Sequence, residues 1–159
     1  MGRRDVYVIA VPKWASATLL VLVSASMVAL IYALSGRAYA NDAHSVRDLA
    51  WRLLHAERTA VSRSTILAAM MPVIANILLF IPWGFLAFLT LDSPARPRRT
   101  TYALTVLTGV IFAAIIELWQ YTLPTRVTTP ADAISNAFGA FTGAILGHLR
   151  KMVRVQFDY

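Results

Sequence analysis

Residues 72–91 read PVIANILLFIPWGFLAFLTL, twenty positions without one charged side chain. A helix rises 1.5 Å per residue, so this run covers about 30 Å, the thickness of a bilayer's hydrocarbon core. Pro72 stands where a helix would start and its missing N–H would leave no bond unmade, and Asp92-Ser93-Pro94 ends the run. Pro82 lies inside it and predicts a kink that frees the carbonyl of Leu78.

Three further runs have the same character. Trp14–Leu34 is uncharged over 21 residues, and the stretches 101–123 and 132–149 follow, separated by a short loop with Pro124 and Pro130. The expected fold is all-α: a polytopic membrane protein of about four transmembrane helices, forming a single domain over residues 1–159. Composition agrees, since 58% of the 159 residues are hydrophobic and only 14% charged, more apolar surface than a soluble chain of this size could bury. Ala38-Tyr39-Ala40 has the form of a signal-peptide cleavage site, but the apolar run before it is longer than the usual ~7–15 residues, so residues 1–40 are expected to stay uncleaved.

The formal charge of +7 raises the question of nucleic acid. A nucleic-acid binder gathers its cations on one face, whereas here they bracket the apolar runs as orientation signals do, so no nucleic-acid partner is expected. Arg3, Arg4 and Lys13, then Arg96, Arg98 and Arg99, then Arg150, Lys151 and Arg154 place nine of the 15 Lys and Arg on one side, in short flanks. Both termini are therefore expected in the cytoplasm, with 35–65 and 124–131 facing outward. Within 35–65, Ser45 and Asp48 have capping-box spacing, and Val46, Leu49, Ala50 and Leu53 repeat at helical intervals. A short amphipathic helix on the membrane surface and a solvated linker both fit that pattern.

Polar residues inside the apolar runs are costly and tend to face a partner or water. Asn76, Glu117, Gln120 and Asn136 are such residues. Counted from Pro72, Leu123 and Asp132, three of them (Asn76, Glu117 and Asn136) lie about 6–9 Å below the outer ends of their helices, which predicts one polar layer. Glu117 and Gln120 share a helix face at i, i+3, as do Asp132 and Asn136 at i, i+4, and Arg126 lies in the loop between the two helices. The expected site is an outward-opening polar pocket built from Asn76, Glu117, Gln120, Arg126, Asp132 and Asn136, with helix-to-helix hydrogen bonding as the structural alternative.

Gly139, Gly143 and Gly147 form two GxxxG steps and are assigned to helix packing. Trp14, Trp83 and Trp119 fit interface or packing positions equally well. His44, His55 and His148 are scattered, cysteine is absent, and no nucleophile elbow, zinc-protease or phosphate-loop motif occurs, so no metal or cofactor is expected.

The pieces NILLFIPWGF (76–85), ELWQ (117–120) and RVTTPADAISNAFGAFTG (126–143) together resemble the VanZ-like family of small bacterial membrane proteins in order and spacing. The resemblance implies a multi-pass protein of the bacterial cytoplasmic membrane, in a family named for a member linked to teicoplanin resistance. It carries over to Asn76, Pro82, Gly84, Glu117, Gln120, Arg126, Asp132 and Asn136, with Pro82 and Gly84 read here as packing residues. Val127, Thr128 and Thr129 stand where many members have a further acidic residue.

Three functions follow as expectations. The pocket binds the polar head of a membrane lipid, a lipid-linked wall precursor or a glycopeptide, and so affects sensitivity to envelope-directed antibiotics. Alternatively Glu117 is the general acid or base of an intramembrane enzyme, the less favoured reading because no nucleophile is evident. Alternatively the protein is an assembly subunit whose glycine face meets a partner, a second copy included.

Overall fold

A computed structural model describes residues 6–7, 11–35, 54, 63–120, 130–150 and 155–156. Among these residues the fold consists of four long helices and one pair of short strands: β1 (Val6–Tyr7), α1 (Lys13–Ser35), α2 (Arg63–Leu91), α3 (Arg98–Gln120), α4 (Pro130–Leu149) and β2 (Val155–Gln156). Arg126, the amphipathic stretch 45–53, His44, His55 and Ala38–Ala40 lie outside the described residues.

Stretches of α1, α2 and α3 are long and apolar enough to cross a membrane: Lys13–Ala33, Ala69–Leu91 and Arg98–Gln120. The fourth helix has the length, 20 residues, but carries Asp132, Ser135, Asn136 and His148. Ser135 and Asn136 are buried against the other helices, so much of α4's polarity faces protein.

One boundary differs markedly from its sequence expectation. α2 begins at Arg63, nine residues before Pro72, so Pro72 is an internal proline like Pro82, and residues 63–65 belong to the helix and not to a surface segment. The intervening Ile66-Leu67-Ala68-Ala69-Met70-Met71 is built of residues that tolerate a helix well, and Ala69 is already packed in the core. The helix continues through both prolines.

The core is the α2–α4 contact. A Cβ on Gly143 would collide with the backbone oxygen of Ile81 and lie 2.6 Å from the Phe85 nitrogen; one on Gly139 would stand 2.5 Å from the Ile77 oxygen. A Cβ on Gly84 would strike the carbonyl of Ala140 in return. The glycine face of α4 is thus taken up by α2 of the same chain, backbone against backbone, as small-residue stripes allow. α3 joins through Gly109, where an added Cβ would meet Ala140 Cβ at 2.9 Å and Trp83 at 3.2 Å. Trp83 stacks on Phe112 with centroids 5.6 Å apart.

α1 rests on α2 through two polar contacts, Trp83 Nε1–H to Ser24 Oγ at 3.0 Å and Thr90 Oγ1–H to Ser16 Oγ at 3.1 Å. Leu19, Leu22 and Leu30 point away from the protein. β1 pairs antiparallel with β2, Val6 opposite Gln156 and Tyr7 opposite Val155, which brings the two ends of the chain together. The Arg96 guanidinium donates to the Leu91 carbonyl at 2.6 Å, closing the C-terminus of α2 before α3 begins.

Candidate functional site

The contact of Gly84 and Gly109 with Ala140 sets a common level for α2, α3 and α4. Asn76 lies eight residues before Gly84, Glu117 eight after Gly109, and Asp132 eight before Ala140, all toward the same end of the bundle. At 1.5 Å per residue the three share a layer about 12 Å from that contact. Asn136 is four residues from Ala140, hence one turn deeper than this layer, level with the apolar Phe80 and Ala113. The sequence had put Asn136 at about the depth of Asn76 and Glu117. It is not, because its starting point, Asp132, stands eight residues from the glycine contact whereas Pro72 stands twelve, so the positions counted from were not level.

Within the layer, Asn76 Nδ2 donates to Asp132 Oδ1 at 2.8 Å. Glu117 and Asp132 stand at the same level of the bundle, eight residues from the glycine contact on α3 and α4. Ser135 Oγ donates to the Asp132 carbonyl at 2.9 Å and leaves that side chain to Asn76 and its other contacts. Gln120 continues the buried stripe of α3 one turn farther out and is 4% exposed.

Two oxygens in this region are buried without a hydrogen-bond partner among the described residues, Glu117 Oε1 and Asn136 Oδ1. Asn136 is only 6% exposed, so bulk water does not reach it easily. An unmet buried acceptor costs about 1–3 kcal/mol, and such a group calls for a donor: a hydroxyl, an amine or a bound water. The structure therefore brings together five of the six expected site residues, Asn76, Glu117, Gln120, Asp132 and Asn136, while Arg126 lies outside the described residues. None of these five lines the open cavity of about 730 Å³, which lies on the other flank of α3, against α1. No group of three metal-binding side chains occurs among the described residues.

A second polar level went unread in the sequence. Eight residues from the glycine contact in the opposite direction stand Asp92, Thr101 and His148. Tyr102 Oη and His148 Nδ1 are 2.8 Å apart, and the His148 ring stacks on Phe88 with centroids separated by 6.1 Å. Thr101 Oγ1 and His148 Nε2 are buried without partners among the described residues. His148 drew notice only as a metal ligand lacking companions; its neighbours Tyr102 and Phe88 are remote in sequence, so nothing local announced the cluster.

Long apolar helices, a glycine-sealed pair and a polar layer toward one end define a helical membrane protein with an internal polar site. The sequence pattern of the VanZ/LLP1 family matches residues 17–151, and the chain belongs to that family. Comparison with curated proteins and with solved structures gives no match.

Proposed function

We propose that this VanZ/LLP1 protein is a multi-pass protein of the bacterial cytoplasmic membrane that binds the polar head of a lipid, a lipid-linked envelope precursor or a glycopeptide. The observation that carries the reading is the pair of buried, unmet acceptors, Glu117 Oε1 and Asn136 Oδ1, beside the Asn76–Asp132 bond. Residues serving only to hold helices together would meet one another, and among the described residues these two oxygens do not. A ligand bearing hydroxyl or amine donors satisfies both, and Arg126, from the loop at the same end, attracts the anionic part of such a head.

Orientation follows from charge. Arg96, Arg98, Arg99 and Arg150 lie at the end of the bundle opposite Glu117, which supports an orientation with that end and both termini in the cytoplasm and the polar layer toward the outside. Occupation or sequestration of an envelope component then alters sensitivity to antibiotics directed at the envelope.

The test is complementation of a deletion strain with Glu117→Gln, Arg126→Gln and Asn136→Ala, scored for sensitivity to lipid- and wall-directed antibiotics, teicoplanin included, with membrane levels followed by immunoblot. Loss of the wild-type phenotype at normal protein level supports a working site. A normal phenotype at normal level refutes it, and lowered levels assign the cluster to helix packing. The shared level of Glu117 and Asp132 favours one second reading, an intramembrane enzyme with Glu117 as general acid or base. Unchanged turnover in Glu117→Gln would sink that alternative.

A further inference from the structure

The cavity between α1 and α3 is separate from the polar layer. Its floor is the stacked pair Trp83 and Phe112, its α1 wall includes Ala25 and Ala29, and its far end is closed by Tyr32 stacked on Trp119 at 6.1 Å. Ser24 also lines it, and that hydroxyl accepts from Trp83 Nε1, so the floor's one strong donor is already satisfied. No lining residue is charged. Water needs two to four polar partners to settle, and this surface gives it almost none.

From Leu20 to Tyr32 the groove follows α1 for about 18 Å along the helix axis. That is close to the depth of one bilayer leaflet, half of a hydrocarbon core of about 30 Å. Spread over that length, a volume of about 730 Å³ makes a long, shallow trough open along its side, which suits a flexible hydrocarbon chain better than the roughly 10–12 Å cylinder of a helix.

Taken with its place within the membrane-length part of α1, α2 and α3, we propose that this groove is a specific seat for one acyl chain of a bilayer phospholipid. The seat runs along the leaflet on the Glu117 side: Tyr32 and Trp119 lie at the level of the polar layer, eight residues from Ser24 and ten from Gly109. The aromatic end groups suit the boundary between chain and head group. This seat stands whether or not the polar layer binds a ligand.

The test uses the full chain in nanodiscs with Trp14→Phe and Trp51→Phe, so that fluorescence comes from Trp83 and Trp119. Phospholipid brominated along one acyl chain is titrated against unlabelled lipid. The expected result is quenching that saturates at a low mole fraction of brominated lipid, and loss of that saturating component in Ala25→Phe and Ala29→Phe, which fill the groove. Helicity and elution volume show whether those variants fold; Val28→Phe, on the same wall, serves if they do not. Quenching that rises in simple proportion to brominated lipid in the parent protein overturns the proposal, since it reports only surrounding lipid. Protection of both tryptophans together with a dimeric mass overturns it in favour of a second copy. Glu117→Gln keeps the saturating component, which separates this seat from the head-group site.

Discussion

Replacing Gly143 by alanine places a methyl group where the backbone oxygen of Ile81, the Phe85 nitrogen and the Gly84 carbonyl carbon already stand. All three are main-chain atoms of α2, so no rotamer change relieves the clash and the helices must part. Parting by about 1 Å forfeits up to half of the dispersion energy of each contact along the seam. Overpacking of this kind costs about 3 kcal/mol, against a gain of about 1 kcal/mol in helix propensity for Gly→Ala. The net expectation is a loss of about 2 kcal/mol. Gly147→Ala is the internal comparison: its nearest atoms are Phe88 Cδ1 at 3.0 Å and the Phe85 carbonyl oxygen at 3.3 Å, so its neighbours need give by only a few tenths of an ångström and its loss is smaller than that of Gly143→Ala. Both are measured by reversible unfolding in mixed micelles followed by circular dichroism. Equal stability of Gly143→Ala and the parent, or a larger loss in Gly147→Ala, would falsify the backbone contact between α2 and α4. Because the Asn76–Asp132 bond of 2.8 Å spans the same pair of helices, Gly143→Ala should also abolish any phenotype that depends on the polar layer.

Asn136→Leu removes an acceptor that has no partner among the described residues, so it should leave stability unchanged or raise it by about 1 kcal/mol while eliminating function, a combination that packing alone does not produce. Asn76→Ala strips Asp132 of a donor and should cost about 1–3 kcal/mol in the same unfolding assay. Tyr102→Phe deletes the hydroxyl bonded to His148 and should cost about 1 kcal/mol, with no change in antibiotic sensitivity if that end of the bundle is only structural. Ser24→Ala leaves Trp83 Nε1–H without its acceptor beneath α1; a destabilisation of about 1–2 kcal/mol with altered Trp83 emission is expected, and none would show that α1 is held by apolar contact alone.

The apolar runs were legible because the membrane demands a minimum length and little else, and the glycine spacing of α4 was legible because few reasons other than close approach place Gly139, Gly143 and Gly147 four apart. Asn76 and Asp132 were expected in one pocket, but Asn76 was given the depth of Asn136 and not that of Asp132. Their hydrogen bond depends on the rotation of α2 relative to α4, which the Gly84–Ala140 contact sets and no single helix encodes. The start of α2 was misread because Pro72 has the look of a first-turn proline, whereas the helix begins at Arg63 and runs through it. The Tyr102–His148 pair escaped notice for the same reason as most tertiary contacts: its members are 46 residues apart. Trp83, equally at home at an interface or in a core, is 5% exposed and belongs to the core.

The pairing of β1 with β2 has a bearing on how the chain comes into being. β1 leaves the ribosome nearly 150 residues before its partner β2, so the clasp cannot close until β2 has been made. Until then α1 is tethered to the bundle by little more than its seat on α2. The groove beside it is consequently open to bilayer lipid throughout insertion, and a chain arrested before β2 would present α1 as a detachable, quality-control-sensitive element of an otherwise assembled protein.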